Sequence, residues 1–329
     1  MDKVEERFMK KNFQQAYKEM EYVLRHAKKV LLFAHMSPDP DTLGANLALK
    51  EHLLDCGREV DIVCFDEFPR YLKKLFPFAE MKTPSQIDMA AYDVVIACDS
   101  VDRGFHLVRE QCQEEQVVIL IDHHPEIQVT GDITAIDAEY SSSCELVFDL
   151  FEFMRVPLTP SLATPLLMGL MADTGNFQHS TTTSRVLEIA SKLIQAGAAL
   201  EHITETLFGN KNTAVLKLWG KAFVRAKINQ KNGMVISVLT QEEIEECQPS
   251  MDDIKQVASL LNTVPQTNFA LLFAQLNEDT IKGSLRSESY KGVDVSAIAR
   301  QFGGGGHRLS SGFEIHGKIQ ETSFGWEIV

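Results

Sequence analysis

Nowhere in the chain is there a run of about 18 apolar residues, so no transmembrane helix is expected. Residues 1–24 mix both charge signs at helical spacing and lack the apolar stretch of a signal peptide, which makes a cytoplasmic protein the expectation. A basic excess is missing too. The 46 acidic side chains outnumber the 32 basic ones and leave a net charge of −14, which argues against sliding on long duplex DNA and against docking on an anionic membrane. A small phosphate-bearing substrate held by a few local cations stays open. The six cysteines (Cys56, Cys64, Cys98, Cys112, Cys144 and Cys247) show no CxxC spacing and mostly occupy apolar segments. They are expected to be reduced core thiols, neither zinc ligands nor a disulfide framework. Internal repeats and low-complexity tracts are absent. What is present, 44% hydrophobic and 24% charged residues over 329 positions, is enough for proper cores, and the length suggests two domains.

Apolar periodicity predicts a helix from about Glu5 to Lys28, followed by a buried strand over 30–34. A helix beginning near Thr42 should stop at Gly57. Short β-rich runs at 60–65, 94–98 and 117–121 alternate with polar or helical stretches, the pattern of βαβ units and a mostly parallel sheet. Helices over 143–154, 161–171 and 184–197 follow. Beyond about residue 197 the texture changes. Helical sequence leads into a hairpin signal, 227–230 and 234–239 around Asn232-Gly233. A helix over 251–261, strands near 269–276 and 281–286, a helix over 293–302 and a closing strand over 311–315 complete the chain. The expected fold is α/β: a catalytic domain over 1–194 with a mostly parallel sheet flanked by helices, a linker over 195–212, and a smaller α/β domain over 213–329 with a mixed sheet.

Four polar clusters fall where apolar segments end. His35, Asp39 and Asp41 follow the first strand, Asp99 closes 94–98, Asp122-His123-His124 closes 117–121, and Asp173 ends an apolar helix. Ligands of open parallel sheets bind outside the carboxyl ends of the strands. Five carboxylates on one rim would repel strongly unless protonated or neutralised by cations. Imidazole and carboxylate donors without a thiolate suit Mn²⁺ or an ion of similar hardness, and the ligand count exceeds what one metal takes. Two metals sharing a carboxylate would stabilise the attacking and leaving oxygens of a phosphoryl displacement. Near the other end, Gly303–Gly306 before His307 and Arg308 form a glycine run whose N–H groups can converge on an anion, and Arg286 offers a bidentate phosphate donor.

With these residues assembled, the sequence resembles the DHH phosphoesterase superfamily, in its branch with a C-terminal DHH-associated (DHHA1) domain. Asp122-His123-His124 matches the motif that names it. His35-x-x-Pro38-Asp39-x-Asp41, Asp99 and Asp173 match its other metal motifs in order, and residues 303–307 match the glycine-rich motif of the associated domain. Within that superfamily the chain is most similar to the bifunctional oligoribonucleases and 3′-phosphoadenosine-5′-phosphate (pAp) phosphatases. The resemblance implies a Mn²⁺-dependent hydrolase that converts short oligoribonucleotides to mononucleotides, pAp to AMP, or both, through water activated by two metals. It implies that His35, Asp39 and Asp99 bind one Mn²⁺, and that Asp41, Asp99, His123 and Asp173 bind the second. Asp122 would support the site and His124 would face the scissile phosphate. Arg286, Gly304, Gly305, Gly306 and His307 would grip the far end of the substrate across a cleft between the domains, which favours short substrates. Pro40 and Thr42 depart from the family pattern, which often has Gly and Ala there. Cyclic or linear dinucleotides such as c-di-AMP or pApA remain an alternative substrate class, and a non-catalytic nucleotide sensor an alternative of another kind. Related enzymes often dimerise, which leaves a homodimer open.

Overall fold

The computed structural model of the chain describes residues 13–124, 127–209, 212–323 and 325–329. The chain divides after Gly209 into two compact units. The first begins with α1 (Gln14–His26), β1 (Lys29–Phe33), α2 (Pro40–Asp55), β2 (Glu59–Val63) and β3 (Val94–Cys98). It continues with α3 (Phe105–Arg109), β4 (Val117–Asp122), β5 (Ile133–Ile136), α4 (Ser143–Met154), α5 (Pro160–Asp173), α6 (Ser184–Gln195) and α7 (Leu200–Phe208). Residues 5–12 of the expected first helix lie outside the described residues.

The five strands form one sheet in the order β2-β1-β3-β4-β5 with every pair parallel. Successive strand residues face opposite sides. Val30, Leu32, Ile96, Ile119 and Ile121 therefore pack into the core beneath α2, α4, α5 and α6. Leu31, Phe33, Val95, Ala97, Val118 and Leu120 pack on the other face with Phe105 and Val108 of α3. A sheet covered on both sides explains why its strands read as continuous apolar runs rather than alternating ones. Fully buried side chains such as Leu31, Leu32 and Phe33 each contribute roughly 1.5–3 kcal/mol. From β1 the chain crosses to β2 on one side, and β3 resumes on the other. The carboxyl ends of β1 and β3 thus flank a topological switch point, where such folds bind ligands.

The second unit runs α8 (Thr213–Arg225), β6 (Lys227–Asn229), β7 (Met234–Leu239), α9 (Gln241–Cys247), α10 (Met251–Leu261), β8 (Phe269–Gln275) and β9 (Thr280–Arg286). It ends with α11 (Val295–Arg300), β10 (Gly305–His307), β11 (Ser310–His316), β12 (Ile319–Thr322) and β13 (Gly325–Ile328). Its six-stranded sheet is ordered β10-β11-β9-β8-β7-β6, and only β7 and β8 pair in parallel. Leu218 and Ala222 of α8 and Ile254, Val257 and Leu261 of α10 pack on one face. Val295 and Ala299 of α11 pack with Leu285 and Phe313 on the other. Both tryptophans of the chain, Trp219 and Trp326, belong to this unit. The Trp219 indole donates to the Asp253 carbonyl at 3.0 Å, and the Arg225 guanidinium lies 4.9 Å from the Trp326 ring centre.

The α/β class and both sheets agree with expectation. Several elements were not foreseen: α3, β5, α9, β12–β13 and the strand made by the glycine run. Gly305–His307, expected as a loop, is the edge strand of the second sheet. The glycines permit close backbone approach, since a Cβ on Gly304 would lie 2.2 Å from the Gly312 carbonyl oxygen. The segment expected as a linker contains α7, whose Ile203 is buried in the first core.

Candidate metal centre

The carboxyl ends of β1, β3 and β4 and the last turn of α5 bring eight polar side chains to one place in the first unit. His35 follows β1 and is buried. Its Nδ1 lies 2.7 Å from the Met36 carbonyl oxygen. A carbonyl only accepts, so Nδ1 carries the proton and Nε2 offers its lone pair to the site. Asp39 caps α2. Its Oδ1 accepts from the Thr42 amide at 3.1 Å, while Oδ2 lies 3.4 Å from His35 Nε2. Pro40, at the first helical position, lacks an N–H that would have no helical partner anyway. Asp41 is fully buried, and its two oxygens accept from the amides of Ser143 (2.6 Å) and Cys144 (3.0 Å). The electropositive N-terminus of α4 thus holds this carboxylate.

Asp99 adopts the left-handed region, with φ of 57°, which swings its side chain into the centre of the cluster. Its Oδ1 lies 3.4 Å from His123 Nε2 and 3.3 Å from His124 Nδ1, and its Oδ2 lies 3.8 Å from His35 Nε2. His123 Nε2 also stands 3.1 Å from Asp173 Oδ2 and 3.8 Å from Asp41 Oδ2. Asp122, the last residue of β4, accepts through Oδ1 from the His124 amide at 2.9 Å and faces His124 Nδ1 at 2.8 Å. Its Oδ2 accepts from the Val101 amide at 3.2 Å. The His124 ring is thereby fixed with Nε2 outward.

The charges in this cluster are in conflict. Burial, together with the charges of Asp173 and Asp99, pushes the Asp41 carboxyl well above the usual carboxylate range. Burial also raises Asp173, with Asp39 and Asp99 adding to it. Asp99 goes the other way: against burial, hydrogen bonds from His123 and His124 hold it well below its ordinary value. Asp39, despite burial and the charge of Asp99, is pulled to about 2 by His35 and Arg103. Against burial, Asp122 and Asp99 lift His124 to about 9. Divalent cations would resolve this crowding.

The donors fit such ions. His35, Asp39 and Asp99 form one triad and Asp41, Asp99 and His123 another, the ligand atoms of each lying within 4.8 Å of one another. The triads share Asp99. The nearby Cys98 and Cys144 thiols are raised far above their ordinary value by burial and by Asp122 and Asp41, so thiolate ligation is disfavoured and the donor set stays hard. Every metal-ligand candidate named from the sequence is in this cluster.

Other participants were not named as members of the site. Arg103 reaches His35 Nε2 (3.0 Å) and Asp39 Oδ2 (3.2 Å) through Nη1, and His124 Nε2 (3.0 Å) through Nη2. Its one sequence signal is its place four residues beyond a strand-end aspartate. The Ser143 amide left no signal of that kind, and Thr42, whose hydroxyl donates to Asp99 Oδ2 at 2.7 Å, showed only as a departure from the family pattern.

The remaining candidates lie in the second unit, on adjacent strands. His307 pairs with Ser310 on β11, and Ser310 pairs with Arg286 on β9. Cross-strand partners share a face, so His307 and Arg286 stand on the same side of the sheet, about 10 Å apart across two strand spacings. Arg286 Nη1 donates to the Leu285 carbonyl at 2.8 Å. Gly304, Gly305 and Gly306 lead into and build the edge beside them.

Comparison with known proteins gives a consistent picture. Residues 29–170 match the N-terminal domain of the DHH family, and residues 231–324 match the DHHA1 domain. The bifunctional oligoribonuclease and PAP phosphatase NrnA of Thermus thermophilus is 27% identical over 288 residues, 88% of this chain and 84% of that protein. The Bacillus subtilis protein of the same name is 26% identical over 292 residues, 87% of this chain and 89% of its own. An exopolyphosphatase-related protein from Bacteroides fragilis shares the fold with a TM-score of 0.81 at 23% identity, over 91% of each chain.

Proposed function

We propose, from the premise that the chain belongs to the DHH phosphoesterases and carries their DHHA1 domain, that it hydrolyses short oligoribonucleotides to mononucleotides and pAp to AMP. The observation that carries this reading is the pair of triads sharing Asp99, a donor set for two divalent ions at the switch point of the sheet. Relatives at 26–27% identity are named for both activities. His35, Asp39 and Asp99 would hold one ion, and Asp41, Asp99, His123 and Asp173 the other, with Mn²⁺ the ion whose hardness suits these donors. Ions so held supply an activated water and neutralise phosphate charge.

The remaining chemistry belongs to the chain's own groups. In this structure the outward His124 Nε2 accepts from Arg103 Nη2. Asp122 and Asp99 raise the imidazole's proton affinity, so that once protonated, with phosphate displacing the Arg103 contact, Nε2–H would donate to an equatorial phosphate oxygen. Arg103 points to the same spot, 3.0 Å from that nitrogen. A phosphate oxygen there would take a charge-assisted hydrogen bond from each. In the second unit, the row of Arg286 and His307 beside Gly304–Gly306 is proposed to bind the substrate's other phosphate.

Purified protein with Mn²⁺, offered pAp, a 5′-phosphorylated RNA series of two to five nucleotides and c-di-AMP in parallel, with a chelated blank, tests this. Mononucleotides from RNA and AMP from pAp are expected. Preference for c-di-AMP or pApA would replace the substrate assignment on the same chemistry, and no turnover with metal bound would overturn it. Arg103→Ala should lower kcat/KM about ten- to a hundredfold, matching the loss of one hydrogen bond to a charged group. Arg103→Lys should recover only part, because it keeps the charge and loses the fork. Unchanged kinetics in both variants would remove Arg103 from the site.

A further inference from the structure

We infer that Thr42 is a positioning residue for the carboxylate that the two cation sites share, an inference resting on the two-ion reading above. Thr42 is fully buried near the start of α2 and grips two carboxylates at once. Its amide donates to Asp39 Oδ1 at 3.1 Å, and its hydroxyl donates to Asp99 Oδ2 at 2.7 Å. Asp39 and Asp99 belong to the same triad with His35, so one residue sets the spacing between two of its three members. It stands where the chain departs from the family pattern.

The hydroxyl matters because Asp99 has little else to fix it on that side. Its backbone is in the left-handed region at φ of 57°, a conformation that a non-glycine residue keeps only when its surroundings enforce it. The Asp99 amide is tied to the Ile121 carbonyl at 3.0 Å, but that bond leaves the carboxylate torsion free. The two carboxylate oxygens face different partners, Oδ1 towards His123 and His124 and Oδ2 towards His35. A bond to Oδ2 therefore decides whether one oxygen is presented to each triad or both to the same one. On the Oδ1 side the Ser143 hydroxyl lies 3.5 Å away, at the limit of a hydrogen bond and much weaker than the Thr42 contact.

Partners behind a ligand typically govern metal affinity by about ten- to a hundredfold. Thr42→Val keeps the shape and removes the donor, leaving no room for water. Thr42→Ala opens space for a water to replace the hydroxyl. Thr42→Ser retains the donor. Mn²⁺ titration by calorimetry, with electron paramagnetic resonance to tell a coupled ion pair from an isolated ion, should order the affinities of one site as wild type ≈ Thr42→Ser, then Thr42→Ala, then Thr42→Val. The Thr42→Val loss should be about ten- to a hundredfold, and the coupled signal should give way to that of an isolated ion. Circular dichroism of the metal-free variants checks folding, and if Thr42→Val fails to fold the comparison of Thr42→Ala with Thr42→Ser carries the test. Equal affinity in every folded variant, with the coupled signal kept, overturns the inference while leaving the two-ion reading intact. A wild-type protein that binds fewer than two ions overturns both.

Discussion

At Asp122 one carboxylate serves three hydrogen-bonding contacts: the Val101 amide, the His124 amide and the His124 ring. Asp122→Asn replaces an acceptor pair by one acceptor and one donor, and the donor must face a group that itself donates. The variant should fold, because stability resides in the apolar strands behind the site, yet lose about ten- to a hundredfold in kcat as His124 loses its fixed orientation. Wild-type turnover in the purified variant, measured on the best substrate, would show that Asp122 has no hold on His124. This residue was legible in the sequence because an acid followed by two histidines at the end of an apolar strand has few purely structural uses. Asp39, Asp41, Asp99 and Asp173 were legible only together, because a single acid at such an end reads as a helix cap while four polar clusters at four element ends do not. Arg103 and Thr42 were not, because their meaning depends on what they meet across 68 and 57 residues of chain. An arginine in a turn and a threonine in a first helical turn look ordinary until the strand ends are brought together.

Helices α2 and α5 pack closely through Gly44 and Gly169, and the site depends on that closeness. A Cβ at Gly169 would lie 2.7 Å from Asp41 Oδ1 and 2.3 Å from Cys144 Sγ. Gly169→Ala should therefore cost about 1–3 kcal/mol and weaken Mn²⁺ binding by moving Asp41, both readable by chemical denaturation and metal titration. Gly220 within α8 is the contrast, since a Cβ there meets nothing within 4 Å. Gly220→Ala should stabilise by about 0.4–1 kcal/mol. In the second unit, Arg225 on α8 binds Glu243 on α9 through two bonds of 2.6 and 2.7 Å. Against burial, this pairing and the Thr240 amide hold Glu243 below its ordinary 4.5. The stabilisation is thus complete above about that pH and disappears as pH falls through the lower folded-state value. Denaturation midpoints should drop on acidification more steeply in the wild type than in Glu243→Gln, and equal slopes would count against the pairing. At this scale the long helices and central strands were legible from apolar periodicity. Strand β5 is only four residues long, and β10 is built from glycine, a residue that composition assigns to loops; its pairing with β11 is tertiary.

Taken whole, the chain pairs a net charge of −14 with a site proposed to take phosphate, so cations local to that site would have to provide the attraction that the molecule at large does not. Long RNA would bring many phosphates against that unfavourable background. Rates per chain end should therefore fall from two-nucleotide to twenty-nucleotide RNA, and equal rates would contradict the preference. The class of reaction belongs to the fold and its metal motifs, and the chain is a phosphoric ester hydrolase. Among the described residues, no helix is long and apolar enough to cross a membrane. The placement of both tryptophans, Trp219 and Trp326, in the second unit has an optical consequence. Selective tryptophan excitation makes the first unit dark and leaves the second as the only emitter. The emission therefore reports only on the surroundings of Trp219 and Trp326, whatever is added. A change that appears only with nucleotide is what the proposed substrate contacts of Arg286 and His307 would produce.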